Sequence, residues 1–227
     1  MTASAPLPGR LEPMLATLGE LPEEQAGWGF EFKWDGVRAI AICSRDGTCL
    51  LSRRGSDVSV SYPELSKLSQ ALRGREAVLD GEVVALDADG RPSFTLLQRR
   101  LGINDARGAE LRGREISVVF LIFDLLHLAG SSLLDLPYAD RRAELEGLEL
   151  ADASWQTPPF TSGEGDTMLE AARSLGLEGV VAKRLDSRYE PGRRSRAWRK
   201  VKLTSREEFV VGGWLPGHGS RSSLGAL

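Results

Sequence analysis

Phe30-Glu31-Phe32-Lys33-Trp34-Asp35-Gly36-Val37-Arg38 is the stretch on which the reading of this chain turns. From Phe30 to Trp34 apolar and polar residues alternate, the period of a half-buried β-strand. Successive strand side chains point to opposite faces. Glu31, Lys33 and Asp35 are therefore expected on one face and Phe30, Phe32 and Trp34 on the other. A lysine flanked by two carboxylates is a candidate reactive centre. Alone, Lys-x-Asp-Gly is a short motif that equally describes a salt-bridged turn.

Working outward, Val37–Cys43 and Thr48–Ser52 flank Asp46-Gly47, a strong hairpin signal. Cys43 and Cys49 fall inside that hairpin, as small strand residues rather than chemistry. Tyr62-Pro63-Glu64 opens a helix to about Leu72. Ala77–Leu86 reads as a strand broken at Asp80-Gly81, with Asp80 a turn residue. Thr95–Arg100 is expected to be helical and Val118–Leu126 a buried strand, with Phe120 in the core. Asp140–Leu148 and Met168–Leu175 read as helices, Gly179–Arg184 and Ala197–Leu203 as strands around a Gly/Arg/Ser-rich loop 186–196, and Phe209–Trp214 as a further strand. Residues 1–25 are Pro-rich and read as an extended arm. Hairpins mixed with scattered helices indicate the α+β class rather than regular βαβ winding.

The 227 residues suit one large domain, or one domain with part of a second. Hydrophobic content of 41% and charged content of 27% are ordinary globular values and argue against disorder. No apolar run approaches the ~18 residues that would span a bilayer. The N-terminus has neither a basic n-region nor an apolar h-region. Two cysteines make no disulfide framework and no metal set, and fit a reducing cytosol. His127 and His218 have no metal-spaced partners. The net charge of −3 does not advertise a polyanion partner, but its distribution does. Basic residues crowd the stretch from Lys183 to Arg206, broken only by Asp186 and Glu190. Such a stripe is either a solvated face or a local polyanion site.

Company gives Lys33 its weight. Arg53 follows in Ser52-Arg53-Arg54-Gly55, and Glu82 in Leu79-Asp80-Gly81-Glu82. Phe123-Asp124-Leu125-Leu126 ends a hydrophobic strand. Then come Glu178-Gly179-Val180-Val181-Ala182-Lys183 and Trp198-Arg199-Lys200-Val201-Lys202-Leu203. Lys200 and Lys202, two apart on a strand, share a face with Trp198. These six segments, in this order, resemble the nucleotidyltransferase motifs of ATP-dependent DNA ligases, and their wording is most similar to the ligase domain of bacterial end-joining (NHEJ) ligases. The resemblance covers about residues 10–215.

The resemblance implies a fold, a site and a reaction. The fold is a nucleotidyltransferase (ATP-grasp-like) domain of antiparallel sheets flanked by helices over 1–205, with the beginning of a truncated OB-fold domain over 206–227. ATP is the cofactor, and Lys33 carries AMP covalently. A lysine amine attacks phosphorus only when neutral, and with an ordinary pKa of ~10.4 it needs a depressing environment. Arg38, Lys200, Lys202 and a divalent metal (Mg2+ or Mn2+) would supply that positive field and stabilise the transition state. Glu82 and Glu178 are the candidate metal ligands, since Mg2+ takes oxygen ligands and only one or two from protein. Asp35 would orient Lys33, Glu31 would accept from the adenine amino group, Arg53 would hold ribose or phosphate oxygens, and Phe123 would stack on the base. Lys183 and Trp198 complete the nucleotide pocket.

The partner implied is nicked or broken double-stranded DNA, with end-joining proteins such as Ku and a polymerase module beside it, no membrane, a monomer, and the bacterial cytosol as location. A further basic motif that closes the family's OB domain is absent from this sequence, so the chain is expected to bind ATP but to self-adenylylate poorly and to seal nicks weakly or not at all. The competing readings are an RNA ligase or capping-type nucleotidyltransferase, and a non-catalytic module binding nucleic-acid ends. A generic ATP-binding protein is weaker, because no Gly-x-x-x-x-Gly-Lys-Ser/Thr loop is present.

Overall fold

The structure, a computed structural model, describes residues 5–203, 213, 215–216 and 224–226. The arm that opens the chain contains a strand, β1 (Leu15–Leu18). β2 (Trp28–Phe32) carries the alternation that leads to Lys33, and β3 (Val37–Ser44) and β4 (Gly47–Ser52) form the expected hairpin. Its turn is Arg45-Asp46, one residue earlier than expected, and Gly47 closes it at φ 137°. The expected helix after Tyr62 is mostly 3-10 turns (Ser59–Ser61, Pro63–Lys67) ending in one α turn, α1 (Leu68–Ala71). Next come β5 (Ala77–Ala85), α2 (Phe94–Gln98), the unanticipated α3 (Ala106–Glu115), β6 (Val118–Leu128) and β7 (Ser131–Ser132). α4 (Tyr138–Glu146), β8 (Trp155–Gln156), β9 (Thr161–Ser162), α5 (Gly165–Ser174), β10 (Gly179–Arg184) and β11 (Arg194–Lys202) complete the body. β12 (Leu215–Pro216) and β13 (Leu224–Ala226) pair as a separate ribbon. The expected strand 209–214 and His218 lie outside the described residues, apart from Gly213.

Two largely antiparallel sheets face each other. One has the order β1-β11-β10-β2-β9; the other runs β4-β3-β5-β6-β7, with β8 against β6. Strand alternation sorts the residues. In β3, Ala39, Ala41 and Cys43 enter a core beneath α1, α2 and α4, while Ile40 and Ile42 enter the core between the sheets. β5 sorts the same way: Leu79 and Val83 face the helices, and Val78, Asp80, Glu82 and Val84 face away. β5 is thus not broken at Asp80-Gly81. It continues, because Gly81 lets the strand pass against Phe120, whose ring atoms would lie 2.6 Å from a Cβ there.

β6 bulges where the inter-sheet face needs an aromatic. Asp80 pairs with Asp124 and Gly81 with Ile122, so Phe123 is the extra residue. A bulge of this kind re-aims a side chain, and Phe123 joins the inter-sheet core with Trp198. α5 covers the outer face of the first sheet over Phe30, Val180 and Ala182.

Candidate active site

A pocket of about 220 Å3 opens between the two sheets. It is lined by Glu31, Lys33, Arg38, Arg53, Glu82, Phe123, Lys183, Trp198 and Lys200, nine of the twelve residues expected from the sequence. They come from β2, β3, β5, β6, β10 and β11, and from the segments that follow β2 and β4. Phe32, the last residue of β2, and Trp34 also line it, contrary to the alternation. The reason is local: β2 ends at Phe32, so strand period stops governing the chain before Trp34, which packs instead beside Val84, Val119 and Leu121.

At the outer end Lys33 is anchored by its backbone N–H, which donates to Gly179 O at 2.8 Å. Its ammonium is ion-paired with Glu178, whose other oxygen meets Lys202 Nζ at 2.5 Å. Glu178 and Lys202 therefore reach the site through Lys33 rather than as pocket walls. Burial alone would raise the Glu178 carboxyl, but Lys202 and Lys33 outweigh it and hold the group below its ordinary range. Lys200 is pushed down, first by burial and then by Arg194, Lys202 and Lys33. Among the described residues Asp35 makes no ion pair or hydrogen bond to Lys33. Glu178 occupies that position, because the chain past Phe32 has turned out of strand geometry.

Gly179 makes the Glu178 placement possible. It has φ 143°, and a Cβ there would fall 2.0 Å from Val201 O on the neighbouring strand, so only glycine fits.

In the middle of the pocket, Arg38 is clamped rather than free. Its Nε and Nη2 donate to the two oxygens of Asp80 at 2.5 and 2.6 Å, and its guanidinium lies 4.5 Å from the Phe123 ring centroid. Asp80, wholly buried, also accepts from Tyr189 Oη at 2.6 Å, and Tyr189 accepts from Met14 N at 2.9 Å. Asp80 is thus the anchor of an arginine and not a turn residue. Glu82, two residues on and on the same face, has no ion-pair partner within 4 Å among the described residues. Burial pushes its carboxyl up to about 7, against the pull of Arg38 and Lys33 and with the help of Asp80 and Asp35.

The inner end is a buried cluster around Glu31. Lys183 Nζ lies 2.9 and 2.8 Å from its two oxygens, Tyr138 Oη donates to Oε1, and Arg142 Nη1 stands 3.6 Å from Oε1. Lys183 is itself surrounded by the rings of Trp198, Phe123 and Tyr138, at 4.3, 4.4 and 4.7 Å from their centroids. Burial lowers the Lys183 ammonium, and Glu31 counters that. The indole N–H of Trp198 is buried without a partner among the described residues.

Lys183 therefore does not belong to an exposed basic stripe, and other members of the stripe are already occupied. Arg184 pairs with Asp186, Arg188 with Asp135, and Arg199 packs over Trp28 at 4.7 Å. Cys43 is buried and Cys49 half-buried, both as free thiols.

Among the described residues, no group of three or more His, Cys, Asp or Glu could hold a metal unaided. Of the two carboxylates expected to hold a metal, Glu82 lines the pocket and Glu178 is paired with Lys33. That set fits Mg2+ or Mn2+, which accept one or two protein carboxylates and complete their shell with water and substrate phosphate. Sequence reasoning missed Asp80, Tyr138, Arg142 and Tyr189. Tyr138 and Arg142 lie one helical turn apart on α4, and that i, i+4 spacing in a charged helix was the available signal.

The family model described as "ATP dependent DNA ligase domain" matches residues 13–202. The chain is 44% identical over 219 residues to the multifunctional non-homologous end joining protein LigD of Mycobacterium bovis, covering 96% of this chain and 27% of that protein. It is 40% identical over 221 residues to DNA ligase 1 of Korarchaeum cryptofilum, covering 93% and 40%. The chain thus spans about a quarter of the first relative's length and two fifths of the second's. Among solved structures, a mycobacterial DNA ligase D complexed with ATP and MES superimposes with a TM-score of 0.75 at 43% identity, covering 90% of this chain and 64% of that one. Two facing antiparallel sheets, a lysine at the mouth of the pocket between them and the family match over 13–202 lead to one conclusion: the chain belongs to the ATP-dependent DNA ligase family.

Proposed function

We propose that the chain is the adenylation core of an ATP-dependent DNA ligase acting on nicked or broken double-stranded DNA. The observation that carries this reading is Lys33. It stands at the mouth of a pocket with an aromatic wall, paired with Glu178 and backed by Lys200 and Lys202.

The reaction proceeds in three transfers. Lys33 Nζ, released from Glu178 and having lost a proton, attacks the α-phosphorus of ATP; the N–P bond forms as the bond to pyrophosphate breaks. The 5′-phosphate oxygen at a nick then displaces Lys33 and takes AMP. Finally the 3′-hydroxyl attacks that 5′-phosphorus, and AMP leaves as the phosphodiester closes.

Positioning and charge stabilisation dominate such transfers. Lys200 and Lys202 face the charge that develops on phosphate oxygens, Arg53 holds ribose or phosphate oxygens, and Arg38, clamped by Asp80, fixes the Phe123 ring against which the base stacks. Glu82 and Glu178 would hold Mg2+ or Mn2+, which supplies charge neutralisation at the phosphates. Residues 1–205 are proposed as the adenylation domain and 206–227 as the start of an OB-fold domain. The end-joining role, with Ku and a polymerase module as partners, a monomeric state and a cytoplasmic location, is proposed by analogy with the LigD relatives. Among the described residues no helix is long and apolar enough to cross a membrane.

The test is incubation with α-labelled ATP and Mg2+. Wild type is expected to acquire acid-labile, base-stable label, and Lys33→Ala none. Label persisting in Lys33→Ala sinks the assignment of the nucleophile. An unlabelled wild type at any enzyme concentration points to a non-catalytic end-binding module.

A further inference from the structure

Glu31 is an acceptor with its capacity nearly filled. A carboxylate offers about four lone-pair sites. Oε1 takes the Tyr138 hydroxyl and Lys183, with Arg142 3.6 Å away, while Oε2 meets only Lys183, at 2.8 Å. Glu31 is 3% exposed yet lines the pocket. Among the described residues, every contact made to Glu31 is from a donor, and the unpartnered donors at this end, Trp198 Nε1 and Arg142 Nη1, belong to other side chains. The Lys183 ammonium and the Arg142 guanidinium both press on the carboxylate, and the buried Asp124 nearby is held by Arg141 at 2.7 and 2.9 Å. Tyr138 stays a donor, because burial and Glu31 push its phenol well above the ordinary value.

We propose that Tyr138, which lies on α4 outside all six sequence motifs, is the positioning residue that holds Glu31 as an acceptor-only group and so sets the preference for a 6-aminopurine over a 6-oxopurine nucleotide. The proposal rests on the reading of the pocket as a nucleotide site. A 6-amino group donates to the remaining Oε2 site. A 6-oxo group sets an acceptor against an acceptor in a buried place, which leaves both polar groups unpaired. Without the hydroxyl, Oε1 gains a vacancy and the carboxylate is free to turn about Lys183.

The experiment measures equilibrium binding of ATP and of inosine 5′-triphosphate to the full chain by quenching of tryptophan fluorescence, since Trp34 and Trp198 line the pocket. Wild type is expected to favour ATP about 100-fold. Tyr138→Phe keeps the ring that faces Lys183 and Phe160, and is expected to lower that ratio about tenfold with a fall in Tm of only a few °C. A merely structural defect weakens both nucleotides alike and leaves the ratio unmoved. Glu31→Gln gives an independent reading: its amide can present a donor to the 6-oxo group, so the ratio is expected to collapse towards one. A wild type that labels on Lys33 yet does not distinguish the two nucleotides overturns the proposal and leaves the ligase reading intact. So does a Tyr138→Phe ratio within twofold of wild type. A wild type that never labels on Lys33 removes the reading on which the proposal rests, and the proposal with it.

Discussion

Replacing Glu82 by glutamine is expected to stabilise the fold at alkaline pH and to disable the site. β5 turns Asp80 and Glu82 to the same face, but Asp80 has Arg38 and Tyr189 while Glu82 has no ion-pair partner among the described residues. Its carboxyl is held up to about 7 against an ordinary 4.5. A folded-state value above the unfolded one means the native chain binds the proton more tightly. Stability from this group is therefore full below about 4.5, declines as pH rises, and is lost above about 7. The difference corresponds to about 3 kcal/mol of penalty for the ionised form. Glutamine mimics the protonated acid and escapes it. Urea unfolding of both chains at pH 5 and pH 8 isolates the effect, because every other titrating group cancels in the comparison. The variant should match wild type within about 1 kcal/mol at pH 5 and exceed it by about 1–3 kcal/mol more at pH 8, a gain of roughly 3–10 °C in Tm. Adding ATP with Mg2+ at pH 8 should raise the Tm of wild type and leave that of the variant nearly unmoved. A ΔΔG that does not change between pH 5 and pH 8 would refute the reasoning, since it would mean Glu82 is not held protonated by burial.

Two further outcomes are expected. Asp80→Asn leaves Arg38 buried without its counter-charge and should lower stability by about 3–5 kcal/mol in urea melts, while Tyr189→Phe should lower it by only about 1 kcal/mol; equal effects would show that Tyr189, not Arg38, is the partner that matters. Gly179→Ala forces a Cβ to within 2.0 Å of Val201 O at φ 143° and should lower stability by at least about 2 kcal/mol, with loss of Lys33 labelling as Glu178 shifts; a labelled variant of wild-type stability would mean β10 and β11 can separate at that point.

Much of the fold was legible because period-2 alternation is a backbone property. The β3–β4 hairpin and strands β5, β6, β10 and β11 all lie where apolar residues recur at spacing two or run together. α3 escaped notice because its face is nearly all polar, with Ala109 its only fully buried residue, and such a helix has no apolar stripe to read. β1 escaped because four residues pairing with β11 on one edge carry no period of their own, and the register shift between Ala16 and Thr17 erases what little there is. The helix after Tyr62 was legible as helical but not as 3-10, since Pro63 and Glu64 mark a helix start whatever the pitch.

The site divides along a different line. Groups that face the pocket sit in short strand segments whose composition is odd for a core, and oddity is readable. Groups that hold those side chains in place are not odd where they stand. Tyr138 and Arg142 look like an ordinary helix end, and Tyr189 like a loop aromatic, until the chain closes and puts them against Glu31 and Asp80. Asp80 and Glu82 make the limit concrete. They are the same chemistry, two residues apart, on one face of one strand. What separates them is that Arg38 and a tyrosine 109 positions away converge on the first and leave the second bare. Strand parity assigns both to the pocket. Only three-dimensional convergence decides that one carboxylate is spent anchoring an arginine while the other is left for a cation, and it is the unpartnered one whose removal should strengthen the fold.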